Sequence, residues 1–298
     1  MPYTRPHFLH VGPERTATTW LYRMLGQHPD VYVNPVKEIR YFFEAHAYPG
    51  EGLLERFRDG DWHNEFYRDY LKGRLKFCVR HPLLAARSTE RLKWDCKFLF
   101  GRRSDEWFDS LFRSEDSKVT GDFSVQTYRL PPEEIVRISR EWPDMKVLFG
   151  MRDPVEWTWS YASMSLFFDR EPADVSEPQF LNHFRKNAAE FPTVSSISVW
   201  EQAFAGRFKI LFYDDIAQDS ASALLNVCEF LGIETEPIAN IEDVSRRVYP
   251  GPTFAMPTHY RRMLIEIYKD NMRELADAFG GHPRRWLERY SESPQASG

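Results

Sequence analysis

The chain alternates short apolar runs with longer amphipathic stretches. The short runs are rich in β-branched residues and predict strands near residues 7–12, 30–33, 117–121, 145–151 and 207–213. Apolar residues three or four positions apart predict helices near residues 18–27, 61–72, 104–113, 132–141, 154–166, 178–189, 195–205, 219–232 and 258–279. Because strands and helices alternate, the pattern predicts a three-layer α/β/α sandwich with a central parallel sheet of about five strands.

We expect a single domain over residues 1–298, with a loose tail from residue 291. Residues 44–116 form an irregular insertion, dense in arginine and aromatic residues. Two interpretations of this insertion stay open. It lines a substrate cleft, where aromatic faces stack on rings and arginine binds anions, or its aromatics form a satellite core beneath a solvated surface.

The composition argues against several classes of function but does not indicate a particular one. A net charge of −5 argues against a broadly basic nucleic-acid surface. Three cysteines without a CxxC spacing make a disulfide framework or a zinc site improbable and favour a reducing compartment. No run approaches ~18 consecutive apolar residues, so we expect no membrane span and a cytoplasmic protein, the alternative being a chain trimmed of an anchor.

The most informative segment is Gly12-Pro-Glu-Arg-Thr-Ala-Thr-Thr, which joins the first predicted strand to the first predicted helix. A strand that runs straight into a helix directs several backbone N–H groups and the positive end of the helix dipole at one point. Hydroxyls from Thr16, Thr18 and Thr19 add hydrogen-bond donors, and Arg15 adds a cationic fork that suits phosphate or sulfate oxygens. The segment therefore predicts an anion site.

This loop departs from the Walker phosphate loop, because Ala17 replaces its second glycine and Thr18 stands where its lysine would be. It resembles instead the 5′-phosphosulfate loop of sulfotransferases that use 3′-phosphoadenosine 5′-phosphosulfate (PAPS), Pro-x-[Lys/Arg]-[Thr/Ser]-Gly-Thr-Thr. Arg15 falls at the basic position of that motif, and Ala17 at its glycine. The resemblance implies a P-loop-like nucleotide-binding fold and donor contacts from the loop and the start of its helix: Arg15, Thr16, Ala17, Thr18, Thr19 and Trp20.

A second segment fits the other end of such a nucleotide. Arg152 ends a buried apolar run, Asp153-Pro154 starts a helix, and Ser160 follows two turns later. This arrangement resembles the 3′-phosphate motif of the same family, Arg-[Asp/Asn]-Pro followed by serine eight positions after the arginine. Arg246 and Arg247 resemble the basic loop that closes over that phosphate, although a solvated arginine pair is the commoner arrangement.

The residues Glu38-Ile39-Arg40-Tyr41-Phe42 resemble the Glu-x-x-[Phe/Tyr]-Phe motif of heparan-type and related carbohydrate sulfotransferases. The resemblance implies that Glu38 is the general base, while Arg15 and Lys37 stabilise the negative charge that develops at the transferred group. Two other interpretations stay open. Glu38 could be a surface residue paired with Lys37 or Arg40, and the base would then be His46 or His63.

The function implied is sulfuryl transfer from PAPS, with 3′-phosphoadenosine 5′-phosphate (PAP) as product, by in-line displacement and without a metal. The acceptor would be a hydroxyl of a carbohydrate, a glycolipid or a small metabolite, with an amine as the second choice. The first alternative is an NTP-dependent kinase, which would require Mg²⁺ and a loop lysine. The second is a non-catalytic nucleotide-binding protein, which would tolerate the loss of Glu38. The sequence indicates neither the acceptor nor the oligomeric state.

Overall fold

A computed structural model describes residues 5–48, 55–57, 62–112, 118–166, 175–245 and 254–291. Its strands are β1 (Phe8–Val11), β2 (Val31–Val33), β3 (Val119–Asp122), β4 (Lys146–Met151) and β5 (Phe208–Phe212). Its helices are α1 (Thr18–Leu25), α2 (Tyr41–Ala47), α3 (Trp62–Arg80), α4 (Pro82–Arg87), α5 (Thr89–Phe100), α6 (Asp105–Ser110), α7 (Pro132–Glu141), α8 (Pro154–Leu166), α9 (Glu177–Glu190), α10 (Val194–Ala203), α11 (Tyr213–Gln218), α12 (Ser220–Leu231), α13 (Thr258–Phe279) and α14 (Gly281–Ser291).

The five strands form one parallel sheet in the order β2-β3-β1-β4-β5. The predicted five-stranded parallel sheet is confirmed, and each predicted strand overlaps an observed one. The chain crosses from β1 to one side for β2 and β3 and to the other side for β4 and β5, so the direction of winding reverses at β1. Ligands of open α/β sheets bind outside the carboxyl ends of the strands at this reversal point. The loop after β1 and Arg152 after β4 both lie at that edge.

The sheet is covered on both faces. Leu9, Val147 and Phe149 point into a large core built mainly with α7, α8, α10 and α13, whereas Phe8 and Leu148 point into a second core with α1 and α12. Successive side chains of a strand alternate between faces, so these buried strands are apolar on both sides. The three layers predicted from the alternation are therefore present.

Helices with a strong apolar periodicity match the prediction. Among them, α7, α8 and α13 begin and end at the predicted residues. The pattern missed α2, α4, α5, α11 and α14 and made α3 too short. In α11 the acidic pair Asp214-Asp215 suggested a turn. It occupies the first helical turn, where carboxylates favour the positive end of the helix dipole.

The insertion at 44–116 is largely helical where it is described. Its aromatic residues Tyr67, Trp94, Phe98 and Trp107 are buried in the larger core, with Trp94 stacked on Phe98 at a ring-centroid distance of 5.1 Å. These four aromatics are therefore core residues, but they belong to the main core and do not form a separate satellite core. Within the described residues, no helix is long and apolar enough to span a membrane.

Candidate active site

The loop after β1 adopts a backbone conformation that concentrates N–H groups. Gly12 has a φ of 118°, and a Cβ there would lie 2.4 Å from the carbonyl oxygen of Gly150, so only glycine fits. Arg15 and Ala17 also have left-handed φ values, 68° and 66°, with Thr16 between them in the ordinary region. Such alternation turns successive N–H groups toward one side, as in anion-binding nests.

Helix α1 begins immediately after this loop. Its N-cap is Ala17, which has no side-chain acceptor, and its first turn contains no acidic residue. The N–H groups of the first turn of a helix have no intrahelical partner. Nothing in the first turn of α1 competes with an anion for them, so this end of the helix suits a phosphate or sulfate group.

Hydrogen bonds join the loop to the segment that follows β4. Arg15 Nε donates to Ser160 Oγ at 3.0 Å, and Arg152 Nη1 donates to the carbonyl oxygen of Arg15 at 3.1 Å. Trp157 Nε1 donates to the carbonyl oxygen of Glu14 at 2.6 Å. Two segments 137 residues apart in sequence therefore form one wall.

A cleft of about 520 Å³ opens between this wall and helices α11 and α12. Its size lies within the ~300–1,000 Å³ of small-molecule sites. The cleft is lined by Glu14, Arg15, Ala17, Thr18, Thr19, Trp20, Lys37, Glu38, Val125, Arg152, Met164, Tyr213, Ile216, Ala217, Ser220 and Ser245. Of the predicted site residues, eight are in this list. The Thr16 hydroxyl is buried and donates to the Pro13 carbonyl, so that side chain holds the loop together.

Lys37 links the loop to Glu38. Its Nζ lies 3.2 Å from Thr19 Oγ1 and 3.4 Å from Thr18 Oγ1, and 2.9 Å from Glu38 Oε1. The other carboxylate oxygen of Glu38 accepts from the Arg40 guanidinium at 3.3 Å. Glu38 is therefore ion-paired with both Lys37 and Arg40, and it lines the cleft. Tyr41 points away into the core against Phe108.

The sequence model of the sulfotransferase family matches residues 6–237, most of the chain. The chain belongs to the sulfotransferase family. A search of curated protein sequences gave no match.

Three solved structures are similar to this chain. A sulfotransferase from Alicyclobacillus acidocaldarius is 19% identical, with a TM-score of 0.61, over 95% of this chain and 99% of that chain. A sulfotransferase domain from the curacin biosynthetic pathway is 14% identical over 97% of this chain and 99% of that one, with a TM-score of 0.49. A sulfotransferase from Mycobacterium avium is 17% identical over 94% and 78%, with a TM-score of 0.43. At such identities the first of these shows the fold alone.

In this sulfotransferase, the backbone around Glu38 is fixed by two side chains at the carboxyl end of β3. Asp122 accepts hydrogen bonds from the backbone N–H of Ile39 at 3.1 Å and from the hydroxyl of Ser124 at 2.5 Å. Ser124 Oγ in turn accepts from the backbone N–H of Arg40 at 2.7 Å. Burial raises the pKa of Asp122 to about 7, although the hydrogen bonds from Ser124 and Ile39 oppose that rise. This network clamps the two residues that follow Glu38.

His10 lies at the carboxyl end of β1, fully buried, and neither ring nitrogen has a hydrogen-bond partner among the described residues. Burial, assisted by the charge of Lys37, lowers the pKa of His10 to about 3. The ring is therefore neutral and packs edge-on against Phe123. Its contacts are those of a packed core side chain. Among the described residues, no three His, Cys, Asp or Glu side chains are grouped so that they could hold a metal ion.

The structure also brings to the cleft residues that sequence reasoning missed. The Tyr213 ring, at the start of α11, lies 4.1 Å from the guanidinium carbon of Arg152. The signal available in the sequence was that Tyr213 ends a predicted strand, at the edge of the sheet where ligands bind. Trp20 Nε1 donates to the Val244 carbonyl at 2.8 Å, which brings the segment before Arg246 to the cleft. Arg246 and Arg247 themselves lie outside the described residues, as do the side chain of His63 and residues 292–298.

Proposed function

We propose that this sulfotransferase transfers a sulfuryl group from PAPS to a hydroxyl or an amine of a carbohydrate, glycolipid or small metabolite. The observation that carries the proposal is the direct hydrogen bonding of Arg15 and Arg152 at one cleft. Arg15 belongs to the segment that resembles a 5′-phosphosulfate loop, and Arg152 to the one that resembles a 3′-phosphate motif. A nucleotide charged at both ends would require both.

The residues of the cleft suit this donor. The nest at 15–17 and the uncapped start of α1 offer backbone donors for the phosphosulfate, and Arg15 adds positive charge there. Arg152 lies at the end of the neighbouring strand and offers a second cation for the 3′-phosphate. In a chain with a net charge of −5, these cations create a local anion site.

The acceptor side is served by Glu38 in our proposal. Its carboxylate takes the proton of the attacking hydroxyl or amine, and Arg40 and Lys37 hold it in place. Lys37 also contacts the loop hydroxyls, so its charge can move from Glu38 toward the leaving phosphate oxygen as negative charge develops. One lysine would thus couple proton removal to departure of the nucleotide.

Binding of the donor product tests the proposal against the kinase alternative. We expect PAP without Mg²⁺ to raise the melting temperature of the protein, because a ligand at 100 times its Kd adds about 2.7 kcal/mol to the free energy of unfolding. ATP with Mg²⁺ should give a smaller shift. The wild-type protein should also release PAP from PAPS when offered a panel of sugars and phenols.

Two variants make this test specific. Arg152→Ala should abolish most of the PAP shift, whereas Arg137→Ala should keep it, because Arg137 is an ion-paired arginine on α7, outside the cleft. A shift with ATP and Mg²⁺ that equals or exceeds the PAP shift would favour the kinase. A PAP shift that survives Arg152→Ala would contradict the assignment of the 3′-phosphate end.

A further inference from the structure

A second surface of unusual composition lies in the insertion, where α3, α4 and α5 follow one another. Residues 72–93, which we name the helical tip, expose five large aliphatic side chains. Their exposed fractions are 57% for Leu75, 80% for Val79, 76% for Leu83, 53% for Leu84 and 49% for Leu92. Single exposed apolar residues are ordinary on soluble proteins, but several of them on helices that contact one another, as α3 does α4 and α4 does α5, mark an interaction surface.

The outward face of α3 is both apolar and basic. Lys72, Leu75, Lys76 and Val79 are spaced three and four residues apart, so they share one strip of the helix. The opposite strip is held to α5, where the Tyr70 hydroxyl and Arg74 both bind Asp95 at 2.6 Å. The exposed strip is therefore the outer face of a helix whose opposite face is fixed to α5.

The charge of the tip is opposite to that of the molecule. Residues 70–89 contain five Lys or Arg and no Asp or Glu, in a chain whose net charge is −5. The side chains of Lys72, Lys76, Arg80, Arg87 and Lys93 are all exposed. Of these, Lys72 and Lys93 pair with neighbouring acidic residues on the surface, and such pairs are weak. The tip thus presents positive charge around an aliphatic centre.

We propose that the helical tip docks on an anionic lipid bilayer surface. An apolar strip flanked by lysine and arginine is the pattern of helices that lie in the membrane interface, where aliphatic groups enter the acyl boundary and cations meet lipid phosphates. A second copy of the chain fits this surface poorly, because a twofold contact would place two basic patches against each other.

The docking surface and the cleft are separate parts of the protein. The Arg40 guanidinium carbon lies 4.5 Å from the Phe66 ring centroid at the start of α3, and Val79 is thirteen residues further along. At 1.5 Å per residue, α3 spaces the two by about 20 Å. Lipid binding can therefore be measured without donor or acceptor, and its result is independent of the proposed activity.

Co-sedimentation of the full chain with vesicles tests the proposal. We expect binding to vesicles of 30% phosphatidylglycerol in phosphatidylcholine, little binding to pure phosphatidylcholine, and weaker binding when salt is raised from about 0.05 to about 0.5 M. The double variant Lys72→Gln/Lys76→Gln should lower the partition coefficient roughly 25-fold, since each interfacial lysine contributes about fivefold. Val79→Ser/Leu83→Ser should lower it at least about tenfold.

Matched variants elsewhere serve as controls. Lys269→Gln/Arg273→Gln removes the same charge from exposed positions of α13, and Leu225→Ser removes an exposed leucine from α12. Both should bind vesicles as the wild type does, and all variants should melt within about 2 °C of it. Absence of binding to the anionic vesicles would overturn the proposal. So would a wild-type dimer that Val79→Ser/Leu83→Ser converts to a monomer.

Discussion

At the scale of single residues, the proposed mechanism depends on one carboxylate that lies between two cations. Glu38 contacts Lys37 at 2.9 Å and Arg40 at 3.3 Å, and it lines the cleft. These ion pairs fix the direction of the carboxylate, which is the geometric requirement for a base that must meet an acceptor proton.

We expect Glu38→Gln to lower turnover by ~10²–10⁴-fold, because the amide keeps the shape of the side chain but cannot accept the proton. PAP should still raise the melting temperature, since the cations of the donor site remain. Turnover is measured as PAP released from PAPS. Glu156→Gln is the control, because it also removes an arginine-paired carboxylate, from α8 outside the cleft lining. Turnover of Glu38→Gln within about threefold of wild type would favour a non-catalytic protein or a base other than Glu38.

Ala17 differs from the glycine of the 5′-phosphosulfate motif, yet its backbone has the left-handed conformation that favours glycine. The motif has glycine here, and the left-handed φ of 66° explains that preference. Alanine can adopt this conformation at a cost of ~1–2 kcal/mol. The strain lies within the loop that the proposed function uses.

At the scale of elements, the segment before α2 is fixed by its contact with the end of β3. Three hydrogen bonds connect Asp122 and Ser124 to each other and to the backbone of Ile39 and Arg40. Because Arg40 has a left-handed φ of 61°, the segment needs such external bonds to hold its shape. The clamp thus places Glu38 without touching it.

Ser124→Ala should therefore lower kcat more than it affects PAP binding. It removes the acceptor of the Arg40 N–H and a donor to Asp122, which should cost ~1–3 kcal/mol of unfolding free energy. We expect a fall in kcat of at least about tenfold with an unchanged PAP shift. Ser163→Ala is the control, since that buried hydroxyl only donates back to the Trp159 carbonyl within α8. An equal kcat in both variants would show that the clamp is merely structural.

At the scale of the whole molecule, the C-terminal helix α14 holds two walls of the cleft together. His282 and Trp286 bind Asp215 and Asp214 at the start of α11, at 2.6 and 3.0 Å. The Tyr290 hydroxyl donates to Asp153 Oδ2 at 2.7 Å, next to Arg152. Helix α14 therefore connects the Tyr213 side of the cleft to the Arg152 side.

This connection predicts a pH-dependent cost for Tyr290→Phe. Burial raises the pKa of Asp153 to about 6, above its unfolded value, so this group favours folding most at low pH and loses that contribution as pH rises toward about 6. At pH 8 Asp153 is ionised and loses a hydrogen bond to a charged group, which should cost about 1.5–3 kcal/mol. At pH 5 the cost should be smaller.

Chemical denaturation at pH 5 and pH 8 measures this difference. Tyr260→Phe is the control, because its ring packs against Phe180 and Phe184 on another helix. Its effect should be the same at both pH values. A cost of Tyr290→Phe that is equal at pH 5 and pH 8 would show that Asp153 does not titrate in this range.

The sequence predicted the parallel sheet and most long helices because a buried strand or an amphipathic helix must repeat its apolar residues locally. It also singled out the loop at 12–19, Arg152 and Glu38, which the structure brings to one cleft, since each follows a strand with a distinctive set of residue types. It missed α11, α14 and Tyr213, whose local patterns are polar or short. These gain their stability from contacts such as that between Trp286 and Asp214, which lie far apart in the chain.

The sequence by itself determined the fold class and the chemistry of the two charged segments, because both depend on residue type and local spacing. Only the tertiary structure decided that Arg15 and Arg152 meet at one cleft and that Lys37 bridges the loop and Glu38. It also decided that the aromatics of the insertion are core while Val79 and Leu83 are exposed. The physical reason is that contacts between distant segments follow from the packing of the whole chain, which no short window of sequence contains.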